Sequence, residues 1–236
     1  MEFLPRLKPE QKKEILNHLQ SFITEERKRK FEHLIQFRTR YITIVLEDIF
    51  QPHNASAVLR TCECFGIQDV HIIENSNPYR INPDVALGST KWLSLFRYNR
   101  NKSNTNDCLK GLKINGYHLI AATPHEKNHP PETLSLDHPI AILFGTELEG
   151  LSQETLHQAD GFITIPMVGF TESLNISVSA AIIMYTVISR LHSSSIHWQL
   201  KPNEITDVML QWHSSSITKS DLIIRRFIRK KGWLIP

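Results

Sequence analysis

The pattern of apolar and polar residues divides the chain into three stretches. Residues 8–37 contain no glycine and have Pro9 near their start, where a missing N–H costs a helix little, so this stretch predicts a helix. From 41 to 191, short apolar runs alternate with amphipathic segments, which indicates strands alternating with helices. Two further helices are predicted over 203–213 and 219–231.

The central stretch is typical of an α/β fold with a mainly parallel sheet, because its strands are separated by helices. The predicted strands are 41–46, 69–74, 117–122, 139–144 and 161–165. The predicted helices are 55–65, 107–114, a short one from Ser152, and 175–191. The last is apolar on most faces, so we expect it to be buried. Because ligands of such sheets bind beyond the carboxyl ends of the strands, the informative loops are those that follow the strands.

Composition places the chain among ordinary soluble proteins. It has 236 residues, of which 41% are hydrophobic and 22% charged, and this excludes collagen, coiled coils, disordered tails and disulfide miniproteins. Three cysteines favour a reducing compartment, and no stretch approaches the roughly 18 apolar residues of a membrane span. Because the first residues also lack the apolar core of a signal peptide, we expect a cytoplasmic protein with no membrane association.

Charge is distributed unevenly around the net value of +3. Residues 1–40 carry ten Lys and Arg against six Asp and Glu, and residues 200–236 carry seven against three, so each end has a charge of +4 and the middle −5. We therefore expect a basic helical extension over 1–40, a central domain over 41–195 and a second basic helical extension over 196–236. Basic ends suggest a polyanionic partner, although solvated lysine-rich helices would give the same pattern.

The helix over 55–65 presents two candidate site residues. Asn54 directly precedes it, where asparagine is more often a cap than a catalyst. Arg60 lies beside the apolar Val58 and Leu59, and an arginine in a buried helix needs an anion or a carboxylate. Arg60 is therefore the stronger candidate for binding or catalysis.

The loop after Phe144 has glycines spaced as in a phosphate-binding loop. Leu151 stands where that loop has its lysine, and Glu147 and Glu149 would repel phosphate, so this acidic loop better suits a cationic or neutral ligand. Glu149 is expected to be solvated, whereas Glu147 is either a cap or functional.

Another long loop follows Ile165 and runs directly into the helix 175–191. Ser173 and Asn175 thereby lie at the start of a buried helix, where they would cap it. At the mouth of a parallel sheet, the same side chains are also placed to reach a ligand.

Metal and dinucleotide sites are disfavoured. Cys62 and Cys64 are two positions apart on a predicted helix and point in different directions. His125 and His129 have helical ligand spacing, but the prolines around them argue against a helix. We therefore expect no bound metal. Because the chain has only nine glycines and no Gly-x-Gly-x-x-Gly motif, we also expect no dinucleotide. A Gly-x-Ser-x-Gly motif is absent as well.

Three segments together carry the motifs of a known family. The first is Pro52–Thr61, the second is Leu143–Ser152, and the third combines Ile165–Met167 with Ser173–Ser179. With these motifs in this order and spacing over roughly 40–191, the chain resembles the SpoU (TrmH-like) family of RNA ribose 2′-O-methyltransferases, in the SPOUT superfamily.

The resemblance implies a fold, a cofactor and an assembly. The domain would contain a trefoil knot in its C-terminal part, contrary to the general rule for folds, and would form a homodimer. S-adenosylmethionine would be held mainly by backbone groups of three loops. The residues that match these loops are Thr123, Gly145, Ile165, Met167 and Leu174.

The resemblance also implies roles for individual residues. Arg60 would contact the ribose or phosphate and stabilise the developing alkoxide, because a guanidinium hardly deprotonates. Glu147 would orient Arg60 or the cofactor end, and Asn54 would support Arg60. Ser173 and Asn175 would fix the loop and the target ribose. No metal would be required.

The RNA substrate is indicated less directly. Gly88, Ser89, Lys91 and Trp92, with the short terminal extensions, favour the members of the family that methylate guanosine 18 in the D-loop of tRNA. Methylation of another tRNA or rRNA ribose, a non-catalytic RNA-binding module, and a nucleotide-binding α/β enzyme unrelated to RNA stay open as alternatives.

The last predicted helix is amphipathic when drawn at about 100° per residue. Ile224, Phe227 and Ile228 lie on one side, which we expect to dock on the α/β body or on the helix near the N-terminus. The opposite side is basic, and we expect it to bind RNA phosphates unless it is simply solvated. Its residues are Arg225, Arg226, Arg229 and Lys230.

Overall fold

The structure is a computed structural model that describes residues 7–80, 82–101, 103–124 and 129–233. The chain divides into two units. The central unit comprises residues 39–198, and the terminal unit combines the described residues up to Arg38 with those from Gln199 onward. Each unit has a hydrophobic core of its own.

The central unit is built on one sheet. Its strands, in chain order, are β1 Ile42–Glu47, β2 Asp69–Ile73, β3 Ser94–Tyr98, β4 His118–Ala122, β5 Ile140–Phe144 and β6 Gly161–Ile163. In the described part of the chain these six strands lie in the order β3-β2-β1-β5-β4-β6, and every pairing is parallel. The predicted α/β class with a mainly parallel sheet is therefore confirmed.

Helices connect the strands and form the terminal unit. In chain order they are α1 Pro9–Gln20, α2 Glu25–Leu34, α3 Pro52–Cys64, α4 Pro83–Ala86, α5 Asn104–Ile114, α6 Gln153–Gln158, α7 Ile176–His192, α8 Pro202–Ser216 and α9 Ser220–Lys230. Short 3-10 turns lie at 35–37, 89–91 and 131–133. No helix in the described ranges is both long and apolar enough to cross a lipid bilayer.

Both faces of the sheet are covered, because successive residues of a strand point to opposite sides. Ile44 of β1 belongs to the core formed with α3 and α7, whereas its neighbour Val45 belongs to the core formed with α5. Burying one such aliphatic side chain stabilises the fold by roughly 1.5–3 kcal/mol. The two cores fix the strands from both sides and leave their carboxyl ends free for loops.

Helix α7 is buried on one side only, which differs from the burial expected of so apolar a helix. Met184 and Val187 face the core, and both are fully buried. Val178, Ile182 and Tyr185 lie on the opposite side, and Tyr185 is 62% exposed. We call these three residues the apolar strip of α7.

The structure differs from the prediction in two segments. The helix predicted over 8–37 is divided into α1 and α2. Ser21 Oγ donates to the carbonyl of His18 at the end of α1, and Thr24 Oγ1 accepts the N–H of Arg27 as the cap of α2. These hydroxyls compete for backbone groups and so end one helix and begin the next. The second difference is β3, an edge strand that the pattern does not predict because it is half-exposed and lacks clear alternation.

The terminal unit packs the first and last helices together. Ile15 and Leu19 of α1, Leu210 of α8, and Ile224 and Ile228 of α9 form its core. The apolar side of α9 therefore docks within this unit, in a core shared with α1. Docking on the helix near the N-terminus was one of the two arrangements predicted. The basic side of α9 faces solvent.

A histidine is buried within the sheet. His71 Nδ1 lies 2.9 Å from the hydroxyl of Tyr98, and its ring stacks on Phe96 with a centroid distance of 4.8 Å. Burial lowers the pKa of His71 from its ordinary value of 6.5 to about 4, because the charged imidazolium would lose its hydration.

We expect the protein to lose stability as the pH falls from 6.5 towards about 4, because in this window the unfolded chain binds a proton at His71 and the folded chain does not. The titration of His71 lowers the free energy of unfolding by about 3 kcal/mol in total. His71→Phe removes the titrating group, so its urea midpoint should fall less steeply than that of the wild type. His138→Phe, at an exposed position, should keep the wild-type slope. Identical slopes for His71→Phe and the wild type would contradict this account.

Candidate active site

The candidate site lies at the carboxyl edge of the sheet. β1 and β5 are neighbours, with Leu46 beside Phe144, so the segments that follow these two strands meet. Asn54 and Glu147 consequently come within hydrogen-bond distance although they are 93 positions apart. The loop after β6 leads into α7 and brings Asn175 to the same place.

Asn54, Glu147 and Asn175 form one hydrogen-bonded group, which we call the amide–carboxylate cluster. Asn54 Nδ2 and Asn175 Nδ2 both donate to Glu147 Oε1, the second over 3.1 Å. Asn175 Nδ2 also lies 3.3 Å from Asn54 Oδ1. The Asn175 amide is itself oriented, because its Oδ1 accepts the N–H of Ser177 at the start of α7 over 2.9 Å. The structure thus brings three of the predicted site residues together.

Neutral donors hold the carboxylate of the cluster. Among the described residues, Glu147 has no ion-pair partner and is hydrogen-bonded through Oε1 alone. Asn54 is only 2% exposed, whereas Glu147 and Asn175 are exposed. The carboxylate therefore has a fixed orientation and presents Oε2 towards solvent or a ligand.

Two expectations for α3 are wrong. Gln51 is the cap residue of α3, so Asn54 lies inside the first turn and does not cap the helix. Arg60 is not in a buried part of the helix, because α3 buries one face, with Val58 and Leu59, and Arg60 projects from the other. No described residue forms an ion pair or hydrogen bond with Arg60, so the expected contacts from Asn54 and Glu147 are not made.

Ser173 stays apart from the cluster. Its side chain is exposed, and no residue in the described ranges hydrogen bonds to it. Asn175 is the cap of α7, through its contact with the Ser177 N–H. Of the two residues expected to cap this helix, only Asn175 does so.

The loop between β5 and α6 is closed by a tight turn. The N–H of Thr146 donates to the carbonyl of Gly150 over 2.9 Å, and the N–H of Gly150 donates back over 3.1 Å. Gly145 lies against this turn so closely that an added Cβ would be 2.1 Å from the carbonyl carbon and oxygen of Gly150. The first glycine is therefore required by backbone packing, and the second adopts a positive φ of 70°.

The residues expected to hold the cofactor follow three adjacent strands. Thr123 follows β4, Gly145 follows β5, and Ile165, Met167 and Leu174 follow β6. Backbone groups of 165–174 form no hydrogen bond with any described residue. This donor set fits a cofactor held mainly by backbone groups.

The described residues contain no group of three or more His, Cys, Asp or Glu arranged to hold a metal ion. His125, one half of the histidine pair considered from the sequence, lies outside the described residues.

Two acidic residues at the end of β1 were not predicted as part of the site. Glu47 is buried and Asp48 follows it with a positive φ of 54°. Asp48 Oδ1 accepts the N–H groups of Asn75, Ser76 and Asn77 over 2.7–3.1 Å, which shapes the loop after β2. Their position in the sequence could have identified them, because two consecutive carboxylates lie at the end of a buried strand, at the edge of the sheet where ligands bind.

A parallel α/β sheet with a polar cluster and a backbone-lined loop at its carboxyl edge belongs to the class of α/β domains that bind a ligand at that edge. The family within this class is shown by its sequence model. The model of the SpoU rRNA Methylase family matches residues 41–185. The chain is a member of the SpoU methylase family.

Individual relatives agree with this assignment. The chain is 43% identical to a tRNA (guanosine(18)-2′-O)-methyltransferase of Borreliella burgdorferi over 205 residues, 87% of this chain and 92% of the relative. The Aquifex aeolicus TrmH/SpoU tRNA modifying enzyme superposes with a TM-score of 0.73 and 25% identity, covering 83% of this chain and 98% of that one. AviRb of Streptomyces viridochromogenes, a SpoU methyltransferase solved with AdoMet, shares the fold with a TM-score of 0.57, 20% identity and coverage of 68% and 64%.

We expect Gly145→Ala to open the turn, because the new methyl group would overlap backbone atoms of Gly150 that cannot rotate away. Overpacking of this kind costs about 1–3 kcal/mol. The measurements are urea unfolding and calorimetric titration with S-adenosylmethionine, whose affinity should fall at least about tenfold. Gly111→Ala is the matched control, because its site in α5 has open space and alanine favours a helix. Equal behaviour of the two variants would contradict the role given to Gly145.

Proposed function

We propose that this protein transfers a methyl group from S-adenosylmethionine to the ribose 2′-hydroxyl of guanosine 18 in tRNA. The observation that carries the proposal is the 43% identity to the Borreliella burgdorferi enzyme over 87% of this chain and 92% of the relative. Membership of the SpoU methylase family supports the reaction type. Three cysteines in 236 residues suit the reducing cytoplasm, where we place the protein.

The cofactor would be held by the loops after β4, β5 and β6, through backbone groups near Thr123, Gly145, Ile165, Met167 and Leu174. When bound, S-adenosylmethionine supplies an electrophilic methyl group on a sulfonium. The placement is supported by the backbone groups of 165–174, which form no hydrogen bond with any residue that the structure describes. The close packing of the buried Gly145 against the turn 146–150 restricts the shape of this loop, so little ordering is left for the moment of binding.

The chain must align the ribose hydroxyl and assist the loss of its proton, since a hydroxyl is a weak nucleophile. Arg60 supplies an exposed guanidinium that is not engaged by any described residue. It clamps a phosphate of the substrate and stabilises the alkoxide that develops on the ribose, while keeping its own proton; the hydroxyl proton leaves to solvent water as the oxygen takes the methyl group.

The amide–carboxylate cluster orients the reacting groups. Because Glu147 makes no contact with Arg60, its proposed role is to orient the cofactor end through Oε2. Asn54 and Asn175 hold this carboxylate from two sides. Ser173, on the exposed loop before α7, is assigned to the target ribose.

The function is tested by methylation of unmodified tRNA followed by nuclease digestion and mass spectrometry. We expect 2′-O-methylguanosine in the D-loop, and Arg60→Ala should abolish it while the affinity for S-adenosylmethionine stays within a few-fold. Arg60→Lys should restore little activity, because a point charge lacks the planar fork of guanidinium. Methylation at another tRNA or rRNA ribose would contradict the substrate assignment, and cofactor binding with no RNA methylation would indicate a non-catalytic RNA-binding module.

We also propose a trefoil knot and a homodimer, as the family resemblance implies. The knot is supported by the path of the chain, which crosses from β6 at one edge of the sheet to α7 packed on α3. The dimer is supported by the apolar strip of α7, since an exposed tyrosine, isoleucine and valine on one helix face mark an interaction surface.

Sedimentation equilibrium checks the dimer. The wild type should sediment as a dimer, and Tyr185→Asp should shift it towards monomer because a carboxylate would be buried in an apolar interface. Ile114→Asp changes an exposed apolar residue at the end of α5 and should leave the dimer intact. A stable, active wild-type monomer at assay concentrations would contradict the proposal.

The basic side of α9 is proposed as an RNA-binding surface. Arg225, Arg226, Arg229 and Lys230 are exposed, and Arg225 also pairs with Asp221 over 2.8 Å. Replacing all four with alanine should raise the KM for tRNA and flatten its salt dependence, by about 0.7–0.9 in the log–log slope for each phosphate that is no longer neutralised. Cofactor affinity and sedimentation should stay unchanged. Wild-type tRNA binding by the quadruple variant across a salt series would show that α9 is outside the RNA site.

A further inference from the structure

Glu47 is a buried carboxylate at the carboxyl end of β1. It is 3% exposed, and its two oxygens accept four hydrogen bonds. Oε1 accepts from the hydroxyls of Thr105 (2.9 Å), Ser152 (2.8 Å) and Thr155 (2.8 Å), and Oε2 accepts the backbone N–H of Ser152 (2.9 Å). These donors come from three places in the chain: the first turn of α5, the residue that caps α6, and α6 itself.

The hydrogen bonds around Glu47 are matched to a negative charge. A buried carboxylate is costly unless its lone pairs are satisfied, and in the described ranges no Lys, Arg or His forms an ion pair with Glu47. All four donors are neutral groups, and hydrogen bonds to an ionised acceptor are the stronger ones. The four hydrogen bonds therefore fix the positions of Thr105, Ser152 and Thr155 as well as the position of the carboxylate.

The contact with Ser152 fixes one end of the loop 145–152. The other end of this loop is fixed by the pairing of β5 with β1. Within the loop, Leu151 is buried in the core, and Glu147 and Leu148 are exposed. β1 thus fixes both ends of this loop: its backbone pairs with β5 before the loop, and its residue Glu47 binds Ser152 at the end of the loop.

We infer that Glu47 is a positioning residue for the cofactor site, acting through Ser152 on the loop 145–152 and so on Glu147. The inference rests on the proposed function for its consequence in catalysis, whereas its structural part concerns the loop alone. Glu47 forms no hydrogen bond with Glu147, and the inference gives it no contact with the substrate. Its removal should therefore loosen a loop that binds cofactor, and leave RNA contacts unchanged.

The test compares Glu47→Gln with the control Asp69→Asn. Glutamine keeps the shape but leaves one acceptor oxygen for four donors, while its NH₂ group faces the same donors. Asp69 is also a buried carboxylate, 8% exposed and paired with Arg40 over 2.9 Å, but it lies at the amino end of β2, away from the site. Glu47→Asp, which keeps the charge on a shorter side chain, serves as a second variant should Glu47→Gln fail to fold.

Hydrogen–deuterium exchange and kinetics give separate readouts. In Glu47→Gln we expect exchange of peptides covering 145–152 to rise at least about tenfold, and the KM for S-adenosylmethionine to rise by a similar factor with the KM for tRNA within about twofold. Glu47→Asp should recover part of both effects. Asp69→Asn should change neither the exchange of 145–152 nor the KM for S-adenosylmethionine, even if its melting temperature falls as much as that of Glu47→Gln.

Unchanged exchange over 145–152 in folded Glu47→Gln would overturn the inference, as would an equal rise in Asp69→Asn. A wild-type protein that binds no S-adenosylmethionine would instead contradict the proposed function. Raised exchange of the loop in Glu47→Gln would in that case still support the positioning of the loop by Glu47.

Discussion

The parallel pairing of β1 with β5 is the contact on which the site depends. Five registered residue pairs, from Ile42 with Ile140 to Leu46 with Phe144, place two strands side by side that are distant in the chain. The loops that follow them then meet at one edge, and the Asn54–Glu147 contact forms across that junction. Because alternate side chains of both strands pack into two different cores, a slip of one residue would move each of them into the wrong core.

A small number of hydrogen bonds from the end of β1 organises the carboxyl edge of the sheet. β1 ends in two carboxylates that bind the loops on either side of it, Glu47 the loop after β5 and Asp48 the loop after β2. Glu47 accepts one backbone N–H group and Asp48 accepts three, which gives these loops a defined shape without helices or strands of their own. The amide–carboxylate cluster is then built on a frame that is already rigid.

Much of the fold could be predicted from the sequence, because strands buried on both faces appear as continuous apolar runs, such as 140–144. The half-exposed edge strand β3 gives no such run, and the break at Ser21–Thr24 depends on hydroxyl groups rather than on glycine or proline. Asn54, Glu147 and Asn175 could be identified from motifs, but their mutual contact depends on strand order. The exposure of Arg60 was misjudged because apolar neighbours in sequence lie about 100° apart on a helix and need not share its face.

The terminal unit has a consequence for the order in which the protein folds during synthesis. α1 and α2 leave the ribosome before α8 and α9, yet the core that α1 helps to form requires Leu210, Ile224 and Ile228. At translation rates of about 5–20 residues per second, roughly 10–40 s separate the two ends. During that interval Ile15 and Leu19 lack these partners, whereas the central unit has all six described strands as soon as β6 has been synthesised. The sheet and the loops at its carboxyl edge can therefore be complete before α9 has been synthesised.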